Sequence, residues 1–261
     1  MPSSPASIRD YTGVTETPGT RITRDAARMA VSRYEVARRL AAGRRVLEIA
    51  CGAGQGLGYV GADAAWICGG DITSGLLRQA AAHYGSRVPL VQFDAHALPF
   101  AGGAFDVVQV HEAIYYMADP ETVFAEAHRV LAPGGALVIS SINPAWADFN
   151  PSPHATGYLD ARGLAEALGR QFARVDLRFG FPVTGTGAAG GLVSVLKRAA
   201  VRLGLVPKTM KGKRLLKRVF LGPLLPAPAE LTQTLAPVDE PVDAPLDHAA
   251  TFRILYAVAH R

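Results

Sequence analysis

The chain has 261 residues, 49% of them apolar, enough to bury one sizeable core and carry an appendage. No apolar run reaches the ~18 residues that cross a bilayer, and the N-terminal M-P-S-S-P-A-S-I-R-D lacks the apolar centre of a secretion signal, so the expectation is a cytoplasmic protein. The formal net charge of +5 is uneven, because nine Lys or Arg and no acid lie between Pro182 and Arg218 and the remainder is net acidic.

Residues 1–20 carry Ser, Pro, Gly and Thr without periodicity and read as an extended segment. Thr23 is placed to cap a helix whose Ala27, Ala30, Tyr34 and Ala37 share a face, and Gly43 ends it. Val46, Leu47, Ile49 and Ala50 then form a short apolar run suited to a buried parallel strand, followed at once by glycines 52, 54, 56 and 58. Glycine permits positive φ and removes the Cβ that would hold a ligand away, while the next helix opens with free N–H groups facing the same space. Glu48 is an acid inside an apolar strand, which is costly to bury without a partner such as a backbone amide or a ligand cation.

Ala65 to Gly70 reads as a second strand ending at Asp71, with Thr73 or Ser74 opening a helix from Gly75 to Tyr84. Asp71 stands at a strand end beyond the glycines, where a carboxylate accepts two hydrogen bonds from a ribose diol; the alternative is a solvated loop acid. Val88 to Phe93 is a third strand, and Pro89 within it indicates a sheet edge. Cys51 and Cys68 fall in or beside strands as packed, reduced thiols. Phe105 to Val110 is a fourth strand leading into His111, Glu112, Tyr115 and Tyr116. Asp119 caps a helix with Pro120 at its first position and Val123, Phe124, Ala127 and Val130 on one face. Pro133-Gly134-Gly135 stops that helix before a fifth strand, Leu137 to Ile142. A helix from Ala161 to Leu168, a sixth strand from Phe172 to Phe181 and a last strand from Thr251 to Ala259 complete a doubly wound α/β sheet.

Three stretches carry a family resemblance. E-I-A-C-G-A-G-Q-G, from Glu48, resembles motif I of the class I S-adenosylmethionine (SAM) dependent methyltransferases, (D/E)-x-G-x-G-x-G, with Ala50 in place of the first glycine. D-A-H-A-L-P-F, from Asp94, resembles the family's D-A-x-x-L-P-F, and L-A-P-G-G-A-L-V-I-S resembles its approach to strand five. The likeness covers about residues 44–142 and is nearest to the type 11 small-molecule methyltransferases.

The resemblance implies a seven-stranded Rossmann-like sheet of order 3-2-1-4-5-7-6 with SAM as cofactor. It implies cofactor contacts from Glu48, Ala50, Gly52, Gly54, Gln55, Asp71, Ile72, Asp94, Ala95, His96 and His111, with Asp94 at the adenine amino group. It makes Tyr11 to Thr20 a lid candidate. K-T-M-K-G-K at Lys208 and N-P-S-P-H further resemble bacterial members from polysaccharide or natural-product biosynthesis. The units expected are a lid segment and helix (1–43), the SAM-binding core (44–181), a helical and Pro-rich insertion capping the acceptor (182–249) and the last strand (250–261).

Methyl transfer to a hydroxyl needs alignment and removal of a proton. His111 at the end of strand four, His154 in the loop after strand five, and Tyr115 are the candidates for that chemistry. The absence of N-P-P-Y disfavours the amino methyltransferases of nucleic-acid bases, and no C-x-x-C or H-E-x-x-H marks a zinc site, so metal-free O-methylation of a small-molecule or glycosidic acceptor is the expectation. N-methylation of a natural-product amine, a non-catalytic SAM-fold subunit and an NAD-dependent dehydrogenase are the alternatives. The basic insertion has two amphipathic stretches, Leu192 to Leu203 and Lys208 to Phe220, that suit an anionic or lipid-linked acceptor or a membrane surface. They equally suit a solvated face over packed leucines, and nothing in them marks nucleic-acid recognition.

Overall fold

The computed structural model describes residues 10–183 and 224–261, so both basic amphipathic stretches lie outside the described residues. Seven strands form one sheet: β2 (Arg45–Ile49), β3 (Trp66–Asp71), β4 (Leu90–Gln92), β5 (Phe105–His111), β6 (Leu131–Ile142), β7 (Arg174–Pro182) and β9 (Phe252–His260). Their order is β4-β3-β2-β5-β6-β9-β7, the expected 3-2-1-4-5-7-6. The first five run parallel, and β9 is antiparallel to both β6 and β7. A separate ribbon pairs β1 (Arg21–Ile22) with β8 (Leu225–Pro226).

Strand alternation sends the apolar residues to two faces. Val46, Val107 and Val138 point to one, under α1 (Arg24–Ala41), α2 (Leu57–Gly61) and α3 (Ser74–Tyr84). Leu47, Ile49, Val108 and Leu137 point to the other, under α4 (Pro120–Val130) and α5 (Ala161–Gly169). All of these side chains are buried, each worth about 1.5–3 kcal/mol relative to exposure.

Two helix starts carry the expected caps, Thr23 and Asp119, and a third is capped by Asp160. Thr23 Oγ1 accepts from Ala26 N at 3.0 Å, Asp119 accepts from Glu121 N and Thr122 N, and Asp160 accepts from Gly163 N at 2.8 Å. Thr73 precedes α3 without capping it, because its hydroxyl instead accepts from Tyr11 N.

Three expectations need correction. The edge strand is only Leu90–Gln92, and Pro89 lies before it with its carbonyl accepting from Gly69 N. Strand five starts at Leu131, because Leu131 leaves α4 in an extended conformation and pairs with Phe105. Helix α4 has therefore ended before Pro133-Gly134-Gly135, which falls at a register shift where Gly134 takes φ +76°.

The strap expected from Pro223 to Pro245 is described from residue 224 and runs extended across α1. It is tied by Arg28 to Asp239, Arg39 to Glu240 and Ser32 Oγ to Asp239 N, and a bridge joins Val242 to Phe179.

Candidate functional site

At the C-terminal ends of β2, β3 and β5 lies a cavity of about 1080 Å³, where an open α/β sheet places its ligands. The chain after β2 turns sharply. Ala50, Gly52 and Gly54 all take positive φ, at +57°, +58° and +79°. Ala50 therefore occupies a conformation that costs an L-residue roughly 1–2 kcal/mol, which explains on its own why glycine suits this position. A Cβ on Gly52 would come within 3.1 Å of the Thr15 methyl, so the bare backbone is what lets the N-terminal segment close over the loop. Gly56 is bare for another reason, since a Cβ there would lie 1.9 Å from the Tyr34 ring.

Asp71 closes the next edge of the cavity. Its Oδ2 accepts from Gly52 N at 2.9 Å and its Oδ1 from Thr73 N at 2.8 Å, and burial raises its pKa despite these bonds. Ile72 lines the wall beside it. Asp94, Ala95 and His96 line the far side. Asp119 N donates to His96 Nε2, so the ring proton sits on Nδ1 and is donated to Asp94 at 2.5 Å. Partial burial opposes ionisation of Asp94, but the His96 amide and ring outweigh it and hold the carboxyl below its usual range.

Glu48 stands behind the loop rather than in the cavity wall. It is 1% exposed and accepts from Tyr34 OH at 2.6 Å and Gln109 Nε2 at 3.0 Å. Burial, only partly offset by those two bonds, pushes its pKa up to about 7. Gly54 is likewise behind the wall, its carbonyl accepting from Tyr84 OH. Gln55 lines the cavity and fastens the strap, donating through Nε2 to Pro228 O at 2.8 Å while its carbonyl accepts from Leu231 N.

Residues 47–139 match the family model described as a methyltransferase domain. Residues 47–139 form a class I SAM-dependent methyltransferase domain. Its cofactor is S-adenosylmethionine. The chain is 31% identical to a malonyl-[acyl-carrier protein] O-methyltransferase of Legionella pneumophila, over 48% of each chain. It spans about half the length of the curated relatives it matches. Among solved structures, the fold resembles the [4+2]-cyclase SpnF with a TM-score of 0.55 at 20% identity, covering 90% of this chain and 81% of that one. It also resembles Haemonchus contortus phosphoethanolamine N-methyltransferase 2, solved with S-adenosylhomocysteine, with a TM-score of 0.55 at 15% identity, covering 96% of this chain and 55% of that one.

The methyltransferase domain fits its cofactor by its own residues: a bare-backbone loop, a buried carboxylate fixed at the cavity lip, and a second acid fixed opposite. Residues 10–16 cover this side, with Tyr11, Val14, Thr15 and Glu16 lining the cavity and Tyr11 OH donating to Tyr116 O at 3.4 Å.

The opposite end of the domain's cavity is polar. His111 is 8% exposed, its Nδ1 2.8 Å from Ser140 Oγ and its ring edge against Tyr34. Burial, followed by the nearby Arg33 charge, pushes its pKa down to about 3, so the imidazole is neutral near pH 7 and a weak base. Tyr115 OH donates to Glu112 Oε2 at 3.2 Å and its ring stacks on Tyr158, while Tyr116 leans against Tyr11. His154 is exposed and does not line the cavity.

Arg33 and Glu112 face each other here at 3.8 Å. The sequence offered no signal for Arg33, because a helical arginine beside an alanine-rich face reads as a solvated charge. Glu112 was legible only as a member of the loop after strand four.

Proposed function

We propose that this chain is a SAM-dependent methyltransferase that methylates a hydroxyl of a small-molecule or glycosidic acceptor. The observation that carries the reading is the continuity of the cavity, from the Asp71 carboxylate held by Gly52 and Thr73 to the polar end at His111, Glu112 and Arg33. SAM supplies a methyl group on a sulfonium, ready for in-line displacement.

The chain's own residues divide the remaining work. Asp71 receives the ribose hydroxyls, Asp94 with Ala95 and His96 holds the adenine, and the backbone of residues 50–55 holds the methionine end. Glu48 acts from behind, locking Tyr34 against the loop. Tyr11 and Thr15 shut out water, which strengthens each polar contact inside. His111 and Tyr115 line the acceptor end, and His154 belongs to the loop beyond it. Residues 182–249 are the acceptor-side cap in this reading, and their basic stretches recognise an anionic or lipid-linked part of the acceptor.

Titration calorimetry with SAM and S-adenosylhomocysteine, followed by a screen for acceptors that gain the mass of one methyl group, tests the proposal. Asp71→Ala should weaken cofactor binding about tenfold to 150-fold, the equivalent of losing a charge-assisted contact of about 1.5–3 kcal/mol. Equal affinities would remove Asp71 from the site. Cofactor binding without methyl transfer to any acceptor would point to a binding subunit.

A further inference from the structure

Among the described residues, four buried polar atoms at one end of the fold have no hydrogen-bond partner: Arg33 Nε, Glu112 Oε1, His111 Nε2 and Tyr256 OH. The first three belong to cavity-lining residues, and the Tyr256 hydroxyl lies on β9 within electrostatic reach of Arg33 and Glu112. Buried polar atoms are nearly always satisfied, so a group of orphans, three of them on residues that line one cavity, marks the place of a missing hydrogen-bonding group.

The geometry says what kind of group. Arg33 and Glu112 approach to 3.8 Å, close enough to neutralise each other and too far to hydrogen-bond. Between them they offer one donor and one acceptor, which is the complement of a hydroxyl. An anion would meet the charges of Glu112 and of Glu16, which also lines the cavity, and the neighbouring wall of Ile22, Met29 and Ala30 is apolar. Glu112 is also held in a strained conformation, φ +50°, unusual for a side chain that long. Its N–H donates to Ser140 O at 2.8 Å, fixing the strain in place, and strain of this kind collects where a side chain must be aimed.

We propose that Glu112 is the catalytic base, taking the proton of an uncharged alcohol or phenol hydroxyl whose oxygen Arg33 holds, on an acceptor whose frame beside that hydroxyl is apolar. The assignment rests on the methyl-transfer reading above. The oxygen forms its bond to the methyl carbon as the carbon–sulfur bond of the cofactor breaks with its electron pair left on sulfur. The hydroxyl proton ends on Glu112 Oε1, and the products are the methyl ether and S-adenosylhomocysteine.

The neighbours of Glu112 support the choice over His111. Burial raises the Glu112 carboxyl, against the pull of Arg33 from α1, the Tyr115 hydroxyl and the Ile142 backbone from β6, and with a push from Glu16 in the N-terminal segment. Tyr256 from β9 faces it as well. Burial and Arg33 move His111 the other way, and of the two residues only Glu112 becomes a stronger base than its type.

Full-length wild type, Glu112→Gln and Glu112→Asp are assayed by methyl mass gain against uncharged phenols and aliphatic alcohols, with matched carboxylates and amines alongside. S-adenosylhomocysteine affinity and the urea midpoint are measured for each. The expected result is that wild type methylates the hydroxyl class. Glu112→Gln should bind S-adenosylhomocysteine within about threefold of wild type, lose about 100-fold or more in kcat, and lose the acidic limb of its kcat–pH profile. Glu112→Asp should recover part of the rate and the limb. Full kcat and an intact acidic limb in Glu112→Gln would overturn the assignment alone, as would turnover confined to carboxylates or amines. Absence of methyl transfer by wild type would overturn the functional reading, and this assignment with it.

Discussion

Replacing Glu48 by Gln should change how stability responds to pH while leaving the fold intact. Glu48 is buried, and its pKa of about 7 in the folded chain lies above the 4.5 of a free glutamate. Between those values the native state binds the proton more tightly than the unfolded state, so stability is full below 4.5 and falls as pH rises through 7. The span corresponds to about 3 kcal/mol, of which about 2.5 kcal/mol falls between pH 5 and 8. His111 acts in the opposite sense: its folded pKa of about 3 lies below the usual 6.5, so its contribution is full above 6.5 and is lost as pH falls toward 3. A simple pH profile of the wild type therefore mixes two opposing slopes. Urea denaturation of wild type and Glu48→Gln at pH 5, 6, 7 and 8, without cofactor, removes the His111 part by difference, since both proteins carry it. The variant should gain on wild type by about 2.5 kcal/mol from pH 5 to pH 8, roughly 5 to 10 °C in Tm for a chain this size. Parallel profiles for the two proteins would refute the claim that a protonated Glu48 is the native form near neutrality.

Other substitutions test the local geometry. Ala50→Gly should raise stability by about 0.5–1 kcal/mol, because relief of the left-handed strain exceeds the added freedom of the unfolded chain; a drop in urea midpoint would argue against the strain at φ +57°. Gly56→Ala should destabilise by about 1–3 kcal/mol through the clash with Tyr34, and its effect should be non-additive with Tyr34→Phe in a double-mutant cycle, since both disturb the 2.6 Å bond to Glu48. Leu231→Ala, deleting a side chain 4% exposed under the strap, should cost about 2–4 kcal/mol and speed proteolysis in residues 224–245, measured by limited digestion with and without S-adenosylhomocysteine.

The sheet was legible because period-two and period-3.6 patterns are local, as are caps such as Thr23 and Asp119. The start of β6 was not, because the extended form of Leu131 is decided by its pairing with Phe105, a partner in another strand. That the glycine loop, Asp71 and Asp94 gather at one cavity was legible for the same reason as the sheet: they sit at fixed offsets from strand ends. Glu48 was rightly marked as needing a partner, but Tyr34 and Gln109 come from α1 and β5, and no spacing along the chain announces them. The polar end of the cavity was hardest. Arg33, Glu112 and Tyr256 meet from α1, the end of β5 and β9, and what distinguishes them is the lack of a bond, which only coordinates reveal.

The short ribbon of Arg21–Ile22 with Leu225–Pro226 joins stretches about 200 residues apart, and Gly19 N and Thr20 O bond to Ala227 on the same line. The floor of the cavity is thus written in one continuous run, from Ile49 to Asp119, and its roof in two distant ones stitched together above it. Such a division separates the part of the wall fixed by the sheet from the part fixed by a two-residue ribbon. The roof can accept insertions, deletions and new side chains while the floor keeps its register.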